Sequence, residues 1–270
     1  MYANKKFLFS SQFWFGALGI CIFFLYWYIF VDLFKIGNFA RLPGFVSTVM
    51  EWTSIQPTYG NSIFTAVYYD NIFASIQRVL LAFILATILG MTVGLLMGWS
   101  NIFRSISFPL FEILRPIPIL AYVPLVLVIV PGREAPIIVL TFLAAFFVTA
   151  LNTLLGVRSI DETYFRAARV LGFSELAIFK HVIIPGALPY IFVGLQIGMG
   201  ACWFSLVASE IVSGQRGMGY QVWQAYYYQQ YEVMAMYMGT LGALGWFSCF
   251  ILRRIGNYQM AWRKKMLGGI

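Results

Sequence analysis

The sequence has little charge and almost no histidine. Only 10% of its 270 residues are charged and 61% are apolar, whereas a soluble domain usually carries about a quarter charged residues. Too few polar side chains remain to cover a surface that faces water. The single histidine, His181, has no Cys, Asp or Glu at ligand spacing. We therefore predict no metal site and no histidine-based catalytic site.

Three other features are missing. No phosphate-binding loop of the GxxxxGK[ST] type occurs, so we expect neither a cofactor nor a nucleotide site of that kind on this chain, and no enzymatic activity of its own. The three cysteines are far apart in sequence, which excludes a readable disulfide framework. The net charge of +8 comes without a basic, aromatic-rich polar patch, so nucleic-acid binding is not predicted.

Long apolar runs are what the sequence does contain. Runs of this length predict membrane-spanning helices, and no ten-residue alternating segments typical of a membrane barrel are present. The first run is too long for a signal-peptide core, so we expect it to be retained. The fold class is therefore all-α integral membrane, with about six spans near 13–34, 76–99, 106–130, 137–157, 188–212 and 233–252.

These spans suggest three regions. Residues 1–75 hold the first span and an external loop, in which one short interfacial helix is expected, and residues 76–252 form a five-helix core with a long loop at 158–189. A polar, aromatic loop is expected at 213–231, and a basic tail follows at 253–270. Basic residues are asymmetric, and the rule that positive flanks stay inside places both termini and the 158–189 loop in the cytoplasm. The inner flanks hold twelve (Lys5, Lys6, Arg104, Arg158, Arg166, Arg169, Lys180, Arg253, Arg254, Arg263, Lys264, Lys265) and the outer flanks four (Lys35, Arg41, Arg133, Arg216).

Glycines recur at helical spacing in three spans. Residues three or four apart share a helix face, and small residues there allow two helices to approach closely. We predict helix contacts at Gly90, Gly94 and Gly98, at Gly194 and Gly198, and at Gly239, Gly242 and Gly245.

Three ionisable residues are candidates for a translocation path or gate. Glu112 and Arg115 lie three apart, on one helix face, and form either a structural ion pair or part of the path. Glu210 lies near the outer end of the fifth span and is either interfacial or part of a gate. The prolines in RPIPILAYVP, after Glu112, predict a bent or broken third helix. Arg78 also lies within a span, and the sequence assigns it no role.

The loop at 158–189 is too long for a minimal turn between antiparallel helices. Asp161 begins a predicted helix over 163–171, which Gly172 ends. Ser174 caps a second predicted helix over 175–182, which Pro185 stops. The result is two short helices across the cytoplasmic face, with small residues flanked by apolar ones and shaped to dock onto a partner. A solvated loop without a partner is the alternative.

This loop resembles the signature of ABC importer permeases, which reads EAA, three residues, G, nine residues, I-x-L-P. Ala167 and Ala168 match the alanines, Gly172 the glycine, and VIIP from Val182 to Pro185 the final motif. Arg166 occupies the position of the signature glutamate. ILRPIPILAYVPL, GVRSIDETYFRAARVLG, IIPGALPYIFVGLQIG and SEIVSGQRGMGY are similar to the branch that imports nitrate, sulfonates, taurine or bicarbonate.

The resemblance implies a type I ABC importer permease. It implies a second permease copy, two ABC ATPase subunits that bind ATP and Mg, and a periplasmic or lipid-anchored substrate-binding protein, all at the bacterial inner membrane. A channel or secondary transporter is the alternative; it usually needs its own coupling-ion sites and often internal repeats, and no clear repeat is present. A membrane enzyme would need a denser set of titratable residues. The residues implied to contact the ATPase are Phe165, Arg166, Ala167, Ala168, Arg169, Leu171, Gly172, Phe173 and Pro185.

Overall fold

The computed structural model describes residues 11–34 and 42–260, and all regular secondary structure in these ranges is helical. Lys5, Lys6, Lys35, Arg41, Arg263, Lys264 and Lys265, used above to predict orientation, lie outside these ranges, as does most of the basic tail. The helices are α1 (Ser11–Trp27, continued as a π-helix Tyr28–Leu33), α2 (Phe45–Trp52), α3 (Ala66–Trp99), α4 (Asn101–Leu114), α5 (Ile119–Ile129), α6 (Glu134–Arg158), α7 (Glu162–Val170), α8 (Glu175–Ile178, continued as a π-helix Phe179–Ile183), α9 (Ile184–Ser213), α10 (Met218–Tyr227) and α11 (Tyr231–Gln259).

The predicted spans are present. Five helices of the described chain are long and apolar enough to cross a membrane, and α4 with α5 makes a sixth if that pair is one span. These two helices meet at an angle of 104°, at the segment that contains Pro116 and Pro118. The predicted break in the third span is therefore confirmed. The Tyr122 hydroxyl donates to the carbonyl of Leu114 across the bend (2.8 Å).

The short helix predicted in the external loop is α2, but two loop predictions were wrong. Helix α3 begins at Ala66, ten residues before the predicted span, and Asp70 and Asn71 interrupt the apolar run within its first turns. Helix α10 occupies part of the predicted loop at 213–231. Its buried residues Met218 and Ala225 are seven apart and share a helix face, a pattern that its many tyrosines obscure.

The chain divides into two compact units. The first comprises residues 1–70 and 221–239. In it the carboxylate of Asp32 accepts a hydrogen bond from the amide of Phe45 at the start of α2 (2.8 Å), and Tyr237 donates to Asn61 (2.9 Å). The start of α2 is thus held by a side chain 13 residues earlier, and the segment before α3 by a side chain of α11.

The second unit comprises residues 71–220 and 240–270, and α6 is at its centre. Helix α3 approaches α6 closely at glycines: a Cβ added at Gly94 would lie 2.6 Å from the Cβ of Thr153. Helix α9 does the same on another side, since a Cβ at Gly194 would lie 2.7 Å from Asn152. The helix contacts predicted for these two glycine stripes are confirmed.

The third glycine stripe, on α11, behaves differently. A Cβ added at Gly239 or Gly242 would have no atom of the described chain within 4 Å, and one at Gly245 would only reach the ring of Trp203 at 3.7 Å. The predicted close helix contact is therefore absent within the described part of the chain.

Candidate functional site

The loop between α6 and α9, residues 158–189, is shaped by local hydrogen bonds. The side chain of Asp161 accepts from the amide of Thr163 (2.7 Å) and begins α7. Hydrogen bonds from Thr163 also lower the pKa of Asp161 below its usual range, because they favour the ionised carboxylate. The predicted start of this helix is confirmed.

A glycine in the left-handed region ends α7. Gly172 has φ +79°, and two hydrogen bonds close the turn: the amide of Gly172 donates to the carbonyl of Arg169, and that of Phe173 to the carbonyl of Ala168, both at 3.0 Å. This is the Schellman pattern, in which glycine is favoured because it has no Cβ. Ser174 then caps α8 by accepting from the amide of Ala177 (3.3 Å). Both predicted caps are confirmed.

Pro185 does not stop the second helix, contrary to the prediction. Helix α8 passes through a π-helical turn, Phe179–Ile183, into α9, which has Pro185 in its first turn. A proline has no amide hydrogen to donate, and the widened turn before it absorbs this loss without ending the helix. Pro189 also lies inside α9.

Four large apolar side chains of this loop are exposed in the single chain, and we call them the exposed apolar ridge: Val170, Leu171, Phe173 and Leu176. The exposed fractions of Val170, Leu171 and Leu176 are 88%, 74% and 71%. They lie around the turn between α7 and α8, which the glycine and the two caps hold in one conformation. Exposed apolar side chains gathered on one short loop are typical of surfaces that contact another protein or a membrane.

The remaining predicted contact residues face in different directions. Ala168 is only 4% exposed, so its side chain packs inward, and Phe165 is half-buried. Arg166, at the position of the signature glutamate, is exposed and forms an ion pair with Glu162 one turn earlier (3.0 Å). Such an exposed pair within one helix contributes only a few tenths of a kcal/mol, about 0.3–0.5, so it leaves Arg166 available to a partner.

A second constellation lies at the opposite ends of α6 and α9. Helix α6 has 25 residues, so its length places this constellation roughly 37 Å from the α6–α9 loop. Here Arg78 of α3 binds two carboxylates. Its Nε and Nη2 donate to the two oxygens of Glu134, at 2.7 and 2.8 Å, and its Nη1 donates to Oε1 of Glu210 at 2.7 Å. Arg78 and Glu210 are almost completely buried, with exposed fractions of 3% and 0%.

The same groups hold the segment between α9 and α10. Nη1 of Arg78 also donates to the carbonyl of Arg216 (2.8 Å). The amide of Gly219 donates to Oε2 of Glu210 (2.8 Å). Ser75 donates to Glu210 (2.8 Å) and accepts from the amide of Met218 (2.9 Å).

Asn71, one turn before Ser75, accepts from the amide of Gly217 (2.8 Å). We call the side chains of Asn71, Ser75, Arg78, Glu134 and Glu210 the Arg78 cluster. Because a buried charge is stable only when it is paired and hydrogen-bonded, this cluster holds α3, the start of α6, the end of α9 and residues 216–219 together.

A known protein family matches most of this chain, including parts of both regions described above. Residues 86–262 match the model of the family described as binding-protein-dependent transport system inner membrane component. The chain belongs to this family. The match includes the α6–α9 loop and Glu210 but begins after Asn71, Ser75 and Arg78, so the family model does not cover one side of the Arg78 cluster.

Three curated proteins with similar sequences are also named as permeases. A probable ABC transporter permease protein of Brucella abortus is 40% identical over 195 residues, covering 72% of this chain and 78% of that one. The nitrate import permease protein NrtB of Synechocystis is 31% identical over 245 residues, covering 88% and 87%. The bicarbonate transport system permease protein CmpB of Synechococcus elongatus is 34% identical over 250 residues, covering 88% of each.

A solved structure supports the fold. The permease resembles a chain of the MetNI methionine ABC transporter in its inward-facing conformation, with a TM-score of 0.60 and 19% identity over 72% of this chain and 96% of that one. The predicted ABC importer permease fold is therefore confirmed, and the permease is a multi-pass membrane protein.

The three predicted path residues of this permease separate in the structure. Glu210 is completely buried and belongs to the Arg78 cluster, and its place at a gate stays a prediction. Glu112 and Arg115, at the end of α4, are both exposed, and the ion pairs of the described residues do not include one between them. Arg78 was not assigned a role from sequence, although a charge within an apolar span is a signal of function or pairing.

Replacing Gly217 with alanine is expected to destabilise the permease by about 1–3 kcal/mol through backbone strain. A steric collision is expected to add to this cost. Gly217 has φ +120°, and an added Cβ would collide with the carboxylate of Glu210. Thermal unfolding of the purified protein in detergent measures the effect. Gly132→Ala is the matched control, because Gly132 also has positive φ (+90°) but no atom within 4 Å of an added Cβ. Equal falls in melting temperature for Gly217→Ala and Gly132→Ala would contradict the predicted collision with Glu210.

Proposed function

We propose that this protein is the permease subunit of an ATP-driven ABC importer and forms the path for a small anion. Nitrate, bicarbonate and taurine or another sulfonate are the proposed range. The curated relatives named above as nitrate and bicarbonate permeases support it, since each aligns over most of both chains. The substrate-binding protein is proposed to make the choice among these anions.

The exposed apolar ridge carries the proposal. Val170, Leu171, Phe173 and Leu176 would cost free energy if they stayed in water, by about 25 cal/mol per Å² of apolar surface. A partner that covers them recovers that free energy. We propose that the partner is an ABC ATPase subunit, which binds ATP and Mg, and that its movement reaches the spans through α6 and α9.

The positions of the flanking charges support an orientation. Arg158, Arg166, Arg169 and Lys180 lie in or beside the α6–α9 loop, and positive flanks stay on the cytoplasmic side. We therefore propose that this loop faces the cytoplasm of a bacterium, and that the Arg78 cluster lies toward the outer face of the inner membrane. There a periplasmic or lipid-anchored binding protein delivers the anion.

Two permease copies are proposed to line one path, as a homodimer. The glycines of α11 support a contact outside the single chain, since Gly239 and Gly242 have open space beside them. Glu112 and Arg115 remain proposed path residues because both are exposed in the single chain. Glu210 is proposed to act by fixing the outer ends of α3, α6 and α9 that border the gate.

Uptake by the reassembled transporter tests the proposal. The permease is placed in vesicles with its cognate ATPase inside and binding protein outside, and uptake of labelled nitrate, bicarbonate and taurine is measured with and without ATP. We expect uptake of one of them only when ATP and all three components are present. Uptake by the permease alone, without ATP, would instead establish the channel or secondary transporter.

A further inference from the structure

A cavity of about 630 Å³ lies where α3, α4 and α6 meet the α6–α9 loop. Three arginines line it: Arg104 at the start of α4, Arg158 at the end of α6, and Arg169 on α7. Two carboxylates also line it, those of Glu162 and Glu175. The cavity therefore has charged walls, and its volume lies in the range of cavities that hold small ligands.

The arginines differ in their partners. Both carboxylates are already engaged, Glu175 by Arg169 (3.5 Å) and Glu162 by Arg166 (3.0 Å). Arg104 and Arg158 have no ion pair and no side-chain hydrogen bond with the described residues. Two guanidinium groups with free donors thus face one cavity, and the guanidinium is the side chain best suited to bind phosphate through two parallel hydrogen bonds.

The residues around the cavity indicate that it lies at the membrane interface, where the phosphate of a lipid headgroup could enter it. Its walls include Trp99, the last residue of α3, whose ring stacks on that of Phe179 (centroids 4.5 Å apart). Tryptophan at the end of a span is typical of the interface between lipid tails and water. Apolar side chains of Ile160 and Ile183 complete the walls, which suits a headgroup that remains attached to its lipid.

We propose that this cavity binds the phosphate of an anionic phospholipid, held by Arg104 and Arg158. Basic pockets at the ends of spans bind anionic headgroups through the same chemistry. Because α7 and α8 form part of the wall, a bound lipid contacts the loop that carries the exposed apolar ridge. The permease is therefore expected to hold this loop more firmly in a membrane that contains anionic lipid.

Lipid binding by the full-length purified permease tests this without any transport assay, so its result is independent of the proposed function. The protein is placed in phosphatidylcholine alone and in phosphatidylcholine mixed with an equal amount of phosphatidylglycerol. Retained lipid is then measured by native mass spectrometry, and stability by thermal unfolding. Arg104→Gln and Arg158→Gln are each expected to weaken retention of phosphatidylglycerol about tenfold, the effect of losing one charge-assisted hydrogen bond.

Two controls keep the test decisive. The first control, Arg253→Gln, removes one charge from an exposed position that does not line the cavity. The second control, the double variant Arg104→Lys, Arg158→Lys, keeps both charges in the cavity. We expect each control variant to retain the lipid. Equal retention by wild type and the Arg104→Gln, Arg158→Gln double variant would overturn the proposal. Stabilisation by inorganic phosphate in phosphatidylcholine, with none from phosphatidylglycerol, would also overturn it and would assign the cavity to a soluble anion.

Discussion

Replacing Arg78 with methionine is expected to destabilise the permease by about 3–5 kcal/mol, the cost of removing one partner from a buried ion pair. Glu210 is completely buried, and without Arg78 its carboxylate keeps only the hydrogen bonds from Ser75 and the amide of Gly219. The carbonyl of Arg216 also loses its donor. Thermal unfolding in detergent should show a large fall in the melting temperature, together with loss of uptake.

A double variant separates the effect of the unpaired buried charge on stability from the effect of the lost side-chain volume. Adding Glu210→Gln to Arg78→Met removes the uncompensated charge, so the double variant is expected to be more stable than Arg78→Met alone. Arg115→Met is the matched control, since Arg115 is exposed and lacks a described ion pair, and its effect should stay within about 0.5 kcal/mol. A double variant no more stable than the single one would show that the buried charge is not the cause.

Replacing Leu171 with aspartate is expected to abolish ATP-driven uptake while leaving the permease folded. Leu171 is 74% exposed, so the folded chain tolerates a charge there, whereas an interface with the ATPase would have to bury that charge. Hot-spot residues near the centre of such interfaces contribute about 2 kcal/mol or more, so we expect the affinity for the ATPase subunit to fall about thirtyfold or more. Uptake and copurification with the ATPase measure both effects.

Leu171→Met is the control for this variant, because methionine keeps a similar volume and an apolar surface. It should support uptake close to that of the wild type. Ala168 is unsuitable for the same test, since its side chain packs within the chain and a charge there would disturb α7 itself. Normal uptake and normal ATPase binding by Leu171→Asp would exclude the ridge as the docking surface.

Much of the fold was predictable because its signals are local. The spans follow from apolar runs, and the turn at Gly172 follows from hydrogen bonds between residues at most five apart. The signature around Ala167, Ala168 and Gly172 marked the α6–α9 loop for the same reason. Pro185 shows the limit of local reasoning, because a π-helical turn before it carries the helix onward.

What the sequence determined by itself is therefore the class of protein, its spans, and the loop expected to meet a partner, since each depends on neighbours along the chain. Tertiary structure decided which side of that loop is exposed: Ala168 faces inward, while Val170 and Leu171 face outward. It also decided the role of Arg78, whose partner Glu210 lies 132 residues away. Only packing of α3 against α9 brings these charges within 2.7 Å, and a pair buried so deeply must form because neither charge is stable there alone.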